Sequence, residues 1–238
     1  MALNSGIKIK YLGHSTFLFT TPGGKHLLID PWVENNPACP QKDKQLPGLD
    51  TMLITHGHGD HMQDAVSLAK KHKPQVACIY EIALWLGGKG VENVTGMNKG
   101  GGVRLNDIKA TMVNAHHSSA IIDDGGKIVY AGEPAGFVVE FENGFTIYHA
   151  GDTCVFGDMK IIGDLYKPDL AMLPIGDLYT MGPKEAALAC QLLGTKKVIP
   201  MHYATFPVLT GTPAELQQLT AAAGTEVIVM NPGDEIDS

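Results

Sequence analysis

His56-Gly57-His58-Gly59-Asp60-His61 gathers three imidazoles and a carboxylate within six residues. It stands at a strand-to-helix junction, because residues 50–55 form an apolar run and residues 63–72 place Ala65, Leu68, Ala69 and His72 on one helical face. In extended backbone, residues two apart point to the same side, so His56 and His58 can grip one cation. Asp60 and His61 fall beyond the turn and can face a second. The intervening glycines are expected to permit that turn and to leave room beside the ions. Four polar groups at one strand end need partners, and a divalent ion satisfies all of them.

Outward from this motif, the chain reads as β-rich with interspersed helices. Before it come strands over 7–12, 16–20 and 25–29, the last two joined by the hairpin turn Thr21-Pro22-Gly23-Gly24. After it come a strand over 75–79 and a short helix over 81–86 ended by Gly87-Gly88. The second half offers strands over 108–114, 127–131, 137–141 and 145–149, with the hairpin signal Asn143-Gly144. It then repeats the strand–helix pattern: 169–173 before a helix over 183–193, and 197–199 before a helix over 213–222. The last helix opens on Thr212-Pro213-Ala214-Glu215, with a capping Thr, Pro at N1 and Glu at N3. Such a pattern suggests two sheets packed together and covered by helices. Gly100-Gly101-Gly102 and Gly87-Gly88 lack the following Lys-Ser/Thr or dinucleotide fingerprint and read as turns, not phosphate cradles.

Composition narrows the partners. Apolar residues make up 44% and charged residues 18%, which excludes a disordered chain or a charged coiled coil. The net charge of -7 argues against duplex nucleic acid or an anionic membrane as main partner. The longest uncharged run, 198–214, carries Pro200, Pro207 and Pro213 and cannot span a membrane as a helix. Residues 1–6 show neither the basic nor the apolar region of a signal peptide. Cys39, Cys78, Cys154 and Cys190 form no CxxC pair, so a reducing cytoplasm is the simplest location. No linker or low-complexity tract divides the chain, and residues 1–238 are expected to form one domain.

Further candidate ligands stand after β-prone runs: His117, Asp152 and His202. His56-x-His58-x-Asp60-His61, His117, Asp152 in Gly151-Asp152-Thr153 and His202 in Pro200-Met201-His202-Tyr203 together resemble the metallo-β-lactamase superfamily, across nearly the whole chain. Gly13-His14-Ser15, Ile29-Asp30-Pro31, His117-Ser118-Ser119, Tyr148-His149-Ala150-Gly151-Asp152-Thr153, Pro174-Ile175-Gly176-Asp177 and the 200–207 segment look like its branch of uncharacterised metal-dependent hydrolases, which is similar to the ascorbate-phosphate lactonases. The resemblance implies an α+β fold, a four-layer αββα sandwich of two mixed sheets with a dinuclear site at one edge. It implies two divalent cations, zinc foremost with manganese as the alternative. His56, His58 and His117 would hold the first, and Asp60, His61 and His202 the second, with Asp152 bridging. Of the adjacent His116 and His117 a strand would turn only one inward, and the Ser-Ser that follows selects His117.

Under that resemblance, metal-bound hydroxide attacks a small ester, lactone or phosphodiester, since bound cations lower the pKa of water from 15.7 to about 7. The site keeps a net positive charge and favours a small anionic or carbonyl-containing substrate. Asp60 is the candidate to orient or deprotonate the nucleophile. His14, His149 and Tyr203 are candidates for a leaving-group acid or for supporting the ligands. Asp30 could accept the free N–H of a ligand histidine, or cap the Pro31-Trp32 turn; Asp177 carries the same choice. Cys154 is read as a small buried apolar residue. The segments 34–49 and 181–184 are the expected substrate-selecting loops. Three other readings compete: a metal-dependent nuclease or phosphodiesterase acting on nucleic acid, a di-iron redox protein, and an inactive binding protein. A carboxylate in place of His58 would suit the redox reading. Assembly into homo-oligomers stays open.

Overall fold

A computed structural model describes residues 6–123 and 125–236. The expectation about the start of the chain concerns residues that lie almost wholly outside this range. The chain builds two seven-stranded sheets and a separate two-stranded ribbon.

The first sheet begins with the meander β1 (Lys8–Gly13), β2 (Thr16–Thr20) and β3 (His26–Ile29), all antiparallel. It continues in parallel through β4 (Thr51–Leu53), β5 (Gln75–Ile79) and β6 (Val94–Met97). Between these strands lie helices α1 (Gly59–Met62), α2 (Ala65–His72) and α3 (Tyr80–Gly88). The second sheet repeats the plan. β7 (Gly102–Leu105), β8 (Ile108–Asn114), then, beyond the ribbon of β9 (Ala120–Asp123) and β10 (Lys127–Tyr130), β11 (Ala135–Phe141) and β12 (Thr146–His149) pair antiparallel. β13 (Leu170–Pro174), β14 (Lys197–Met201) and β15 (Glu226–Val227) then add in parallel, linked by α4 (Met159–Tyr166), α5 (Pro183–Leu193) and α6 (Pro213–Thr220). The last strand, β16 (Glu235–Ile236), returns to pair with β1 in the first sheet.

The two sheets share one hydrophobic core. It joins Phe17, Phe19 and Ile29 of the first sheet to Phe137, Ile147 and Leu173 of the second, and the Phe19 and Phe141 rings meet 5.9 Å apart. A smaller cluster of Leu12, Leu18, Leu28, Val33 and Leu49 lies under the 30–50 segment. Helix α3 packs on β5 and β6, and α5 packs on β13. The α+β sandwich expected from the sequence is therefore present. The strands not foreseen are β6, β7, β9, β15 and β16; Gly102, read as part of a turn, opens β7.

This topology fixes where chemistry can happen. The parallel strands β4, β12, β13 and β14 deliver their carboxyl ends to one edge, where loops are free to carry polar side chains. Residues 56, 152 and 202 all leave from such ends.

Candidate metal centre

Asp152 lies at the middle of the edge, 2% exposed. Its Oδ2 is 3.0 Å from His202 Nε2, 3.3 Å from His61 Nε2, 3.6 Å from His117 Nε2 and 4.0 Å from His56 Nε2. His56 Nε2 stands 3.0 Å from His58 Nδ1, and Asp60 Oδ2 is 4.0 Å from His202 Nε2. All seven residues singled out in the sequence thus converge. His117 is the member of its pair that reaches the cluster, whereas His116 turns outward and stacks on Phe156 at 4.7 Å.

Positioning groups surround these seven. Asp30 resolves its two readings: Oδ1 accepts from the Thr55 backbone N–H at 2.8 Å, and Oδ2 accepts from the Thr55 hydroxyl at 2.8 Å and from His61 Nδ1 at 2.7 Å. With Nδ1 donating to Asp30, His61 leaves Nε2 as the nitrogen that would offer its lone pair to a cation beside Asp152. His14 is fully buried; its Nε2 meets Asp60 Oδ2 at 3.1 Å and its Nδ1 meets Thr205 Oγ1 at 3.0 Å. Ser118 Oγ lies 3.4 Å from His58 Nε2. Ser119 Oγ accepts from Gly57 N–H and donates to the Ala131 carbonyl, each at 3.2 Å, which ties the motif to the β9–β10 ribbon. Sequence reasoning missed Thr55 and Thr205; a hydroxyl beside a ligand histidine was the available signal at Thr55.

Several expectations are corrected. His149 does not line the cavity: Nε2 donates to the Ser15 carbonyl at 3.0 Å, which braces the second sheet to the first, and Nδ1 accepts from Gly151 N–H at 3.2 Å, which holds the local turn. Tyr203 points its hydroxyl at the Met230 carbonyl. Asp177 accepts from Leu178 N–H and closes a turn. Cys154 is exposed, not buried. Neither Gly57 nor Gly59 has a positive φ. Gly57 is required for closeness, because a Cβ there would lie 2.4 Å from that of Ala131. Positive φ falls instead on His14 (60°), Asp30 (54°) and His202 (55°), strained positions that only a well-determined surrounding structure sustains.

Charge and donor geometry both fit divalent cations. Burial alone would raise the carboxyls of Asp152 and Asp60, but His202 and His61 hold Asp152 well below the usual range, and the His14 hydrogen bond with His61 does the same for Asp60. Burial opposes the proton on His61, yet Asp152 and Asp30 raise its affinity. Burial keeps His56, His58 and His117 deprotonated and pushes His14 down to about 4. Two carboxylates, Asp60 and Asp152, therefore converge among the His14, His56, His58 and His117 rings, from which burial withholds protons, and a cation is what the balance lacks. His61 Nε2 and Asp152 Oδ1 are buried without a hydrogen bond. Separations of 3.0–4.0 Å between donors bracket the roughly 3.3 Å edge of a tetrahedron with 2.0–2.1 Å metal–ligand bonds. Three overlapping sets of donors each lie within 4.8 Å of one another: His56/His58/His117, His56/His61/Asp152 and His14/Asp60/His61/His202.

A two-sheet sandwich with this histidine-rich edge defines a class, and the chain belongs to it: residues 25–203 match the β-lactamase superfamily domain. Within that superfamily it is a metal-dependent hydrolase. It is 56% identical over 229 residues to a protein of Koribacter versatilis named UPF0173 metal-dependent hydrolase, with 96% of this chain and 97% of the relative aligned. A protein of the same name from Rubrobacter xylanophilus is 52% identical, covering 98% and 97% of the two chains. Among solved structures, Igni18, described as a metallo hydrolase from Ignicoccus hospitalis, superposes with a TM-score of 0.85 at 36% identity over 97% of each chain.

Proposed function

We propose that this hydrolase works with two divalent cations, zinc in the first place and manganese as the alternative, on a small ester, lactone or phosphodiester. His56, His58 and His117 hold one cation and Asp60, His61 and His202 the other, with Asp152 between them. The observation that carries this reading is the position of Asp152 Oδ2 within 4.0 Å of four imidazole nitrogens contributed by three separate segments. A donor set rich in imidazole suits zinc. The core common to both sheets supports residues 1–238 as one domain.

Bound divalent cations lower the pKa of a coordinated water to about 7 and polarise the bond under attack. Asp60 is 30% exposed and lines the cavity, with its Oδ2 held by His14, which supports a role for it in orienting the attacking water and accepting its proton. His14 fixes that carboxylate, Asp30 fixes His61, and Ser118 sits against the outer nitrogen of His58. The cavity over Asp152 and His202 has a volume of about 280 Å³, which suits a small molecule. The net charge of -7 argues against nucleic acid as substrate. All four cysteines are free, in keeping with the cytoplasm, and no described helix is long and apolar enough to cross a membrane.

Elemental analysis of the purified protein, paired with chromogenic esters, lactones and phosphodiesters, tests the reading. Two equivalents of metal and a rate rising through about pH 7 are expected. Asp152→Ala should lose metal and turnover together; an Asp152→Ala protein that retains two equivalents would overturn the assignment.

A further inference from the structure

Besides five candidate ligands, the cavity over Asp152 is lined among the described residues by Ser118 and Tyr179. Ser118 is already engaged with His58. Tyr179 is therefore the side chain left to meet the body of a substrate whose reacting end lies on the ligands.

Its placement is built into the backbone. β13 ends at Pro174, and residues 177–181 form a tight turn in which Asp177 N–H donates to the Met181 carbonyl at 3.0 Å and Met181 N–H donates to the Thr153 carbonyl at 3.2 Å. Asp177 and Leu178 both adopt left-handed conformations, with φ of 66° and 50°. For Leu178 this is a strained backbone, and the turn spends that strain on presenting Leu178 and Tyr179 outward. They are 62% and 57% exposed, and of the two it is Tyr179 that lines the cavity. Exposure also gives a depth scale, from Asp152 and His202 at 2% and 1% on the floor to Asp60 midway and Tyr179 at the rim.

Resting on the hydrolase reading above, we infer that the Leu178–Tyr179 turn is the specificity element of the site, and that its substrates carry an aryl or alkyl group on the outer side of the hydrolysable bond, packed on the Tyr179 ring. The ring makes the contact through its face, and the hydroxyl is dispensable. This replaces the segments 34–49 and 181–184 as the selecting loops: Glu34, Gln41 and Lys44 line a separate cleft, and Met181 is buried.

The test uses the zinc-loaded full chain and calorimetric titration with phenylphosphonate and methylphosphonate, which share an anionic head and differ in the outer group. Wild type should bind the phenyl compound about tenfold more tightly than the methyl compound, the scale of one aromatic contact. Tyr179→Phe should keep that ratio. Tyr179→Ala should bring it close to one while leaving methylphosphonate affinity and zinc content unchanged. Equal binding of the two probes by wild type, an unchanged ratio in Tyr179→Ala, or a collapse in Tyr179→Phe matching that in Tyr179→Ala would each overturn the inference while leaving the metal assignment standing. Failure of the wild type to take up metal would instead overturn the parent reading and the inference with it.

Discussion

Asp30 shows how much one residue can decide. Its carboxylate accepts three hydrogen bonds, two from Thr55 and one from His61, and so sets both the start of the motif and the tautomer of a ligand. Asp30→Asn would present an amide N–H to donors that need an acceptor. We expect metal affinity to fall 10–100-fold, the usual consequence of losing such a partner. Competition against a chromogenic chelator measures this, and an affinity equal to wild type would remove Asp30 from the site. At this scale the sequence was informative wherever spacing forces geometry. Adjacency lets only one of His116 and His117 face the cluster, and the structure turns them apart, although both lie in the loop after β8 and not in a strand. It was silent where a role depends on a partner far along the chain. His149 and Tyr203 stand beside candidate ligands in sequence, yet their polar atoms are taken by the carbonyls of Ser15 and Met230.

Among the elements, α5 begins at Pro183 and ends at Leu193 as its periodicity indicates, and Thr212 caps α6 by accepting from Glu215 N–H. Helix α4 was not foreseen. Its sequence, Met-Lys-Ile-Ile-Gly-Asp-Leu-Tyr, is apolar on several faces and carries Gly163 in the middle, which reads as a breaker. The glycine has a packing reason instead: a Cβ there would meet the Leu193 carbonyl oxygen at 2.3 Å, so only glycine lets α4 lie against the end of α5. β7 escaped notice because glycines precede it, and β9, the partner of the expected strand β10, because Ser-Ser and Gly-Gly flank it. That ribbon gives the motif an asymmetric sensitivity. Gly57→Ala drives a methyl into Ala131 and the Ala120 carbonyl and should cost about 1–3 kcal/mol. Gly59→Ala opens α1 into free space and should be neutral or stabilising by up to about 1 kcal/mol. Thermal melts of the two variants decide; equal losses would contradict the packing described for the ribbon.

For the molecule as a whole, the buried polar edge couples stability to pH. His149 braces the sheets as a neutral ring, and burial lowers its proton affinity below the ordinary value. Its stabilising contribution is complete above the unfolded pKa of about 6.5 and is lost as pH falls toward the folded-state value. The slope contributed by one such group reaches about 1.4 kcal/mol per pH unit. Urea titrations at pH 7.5 and 5.5 should show wild type losing stability on acidification, and His149→Gln losing less. Identical losses would mean that His149 titrates alike folded and unfolded. The two-sheet plan was legible because strand and helix signals recur in both halves. The return of β16 to the first sheet was not, since a two-residue strand leaves no periodicity to read.

The convergence of seven groups from residues 56 to 202 has a consequence for biosynthesis. A ribosome that has delivered the His56–His61 segment has made four of the seven donors; His117 and Asp152 follow as the second sheet grows, and His202 only after β14. Completion of the paired site is thus a late event, and a chain terminated before residue 202 carries the motif without the full donor set for its second cation.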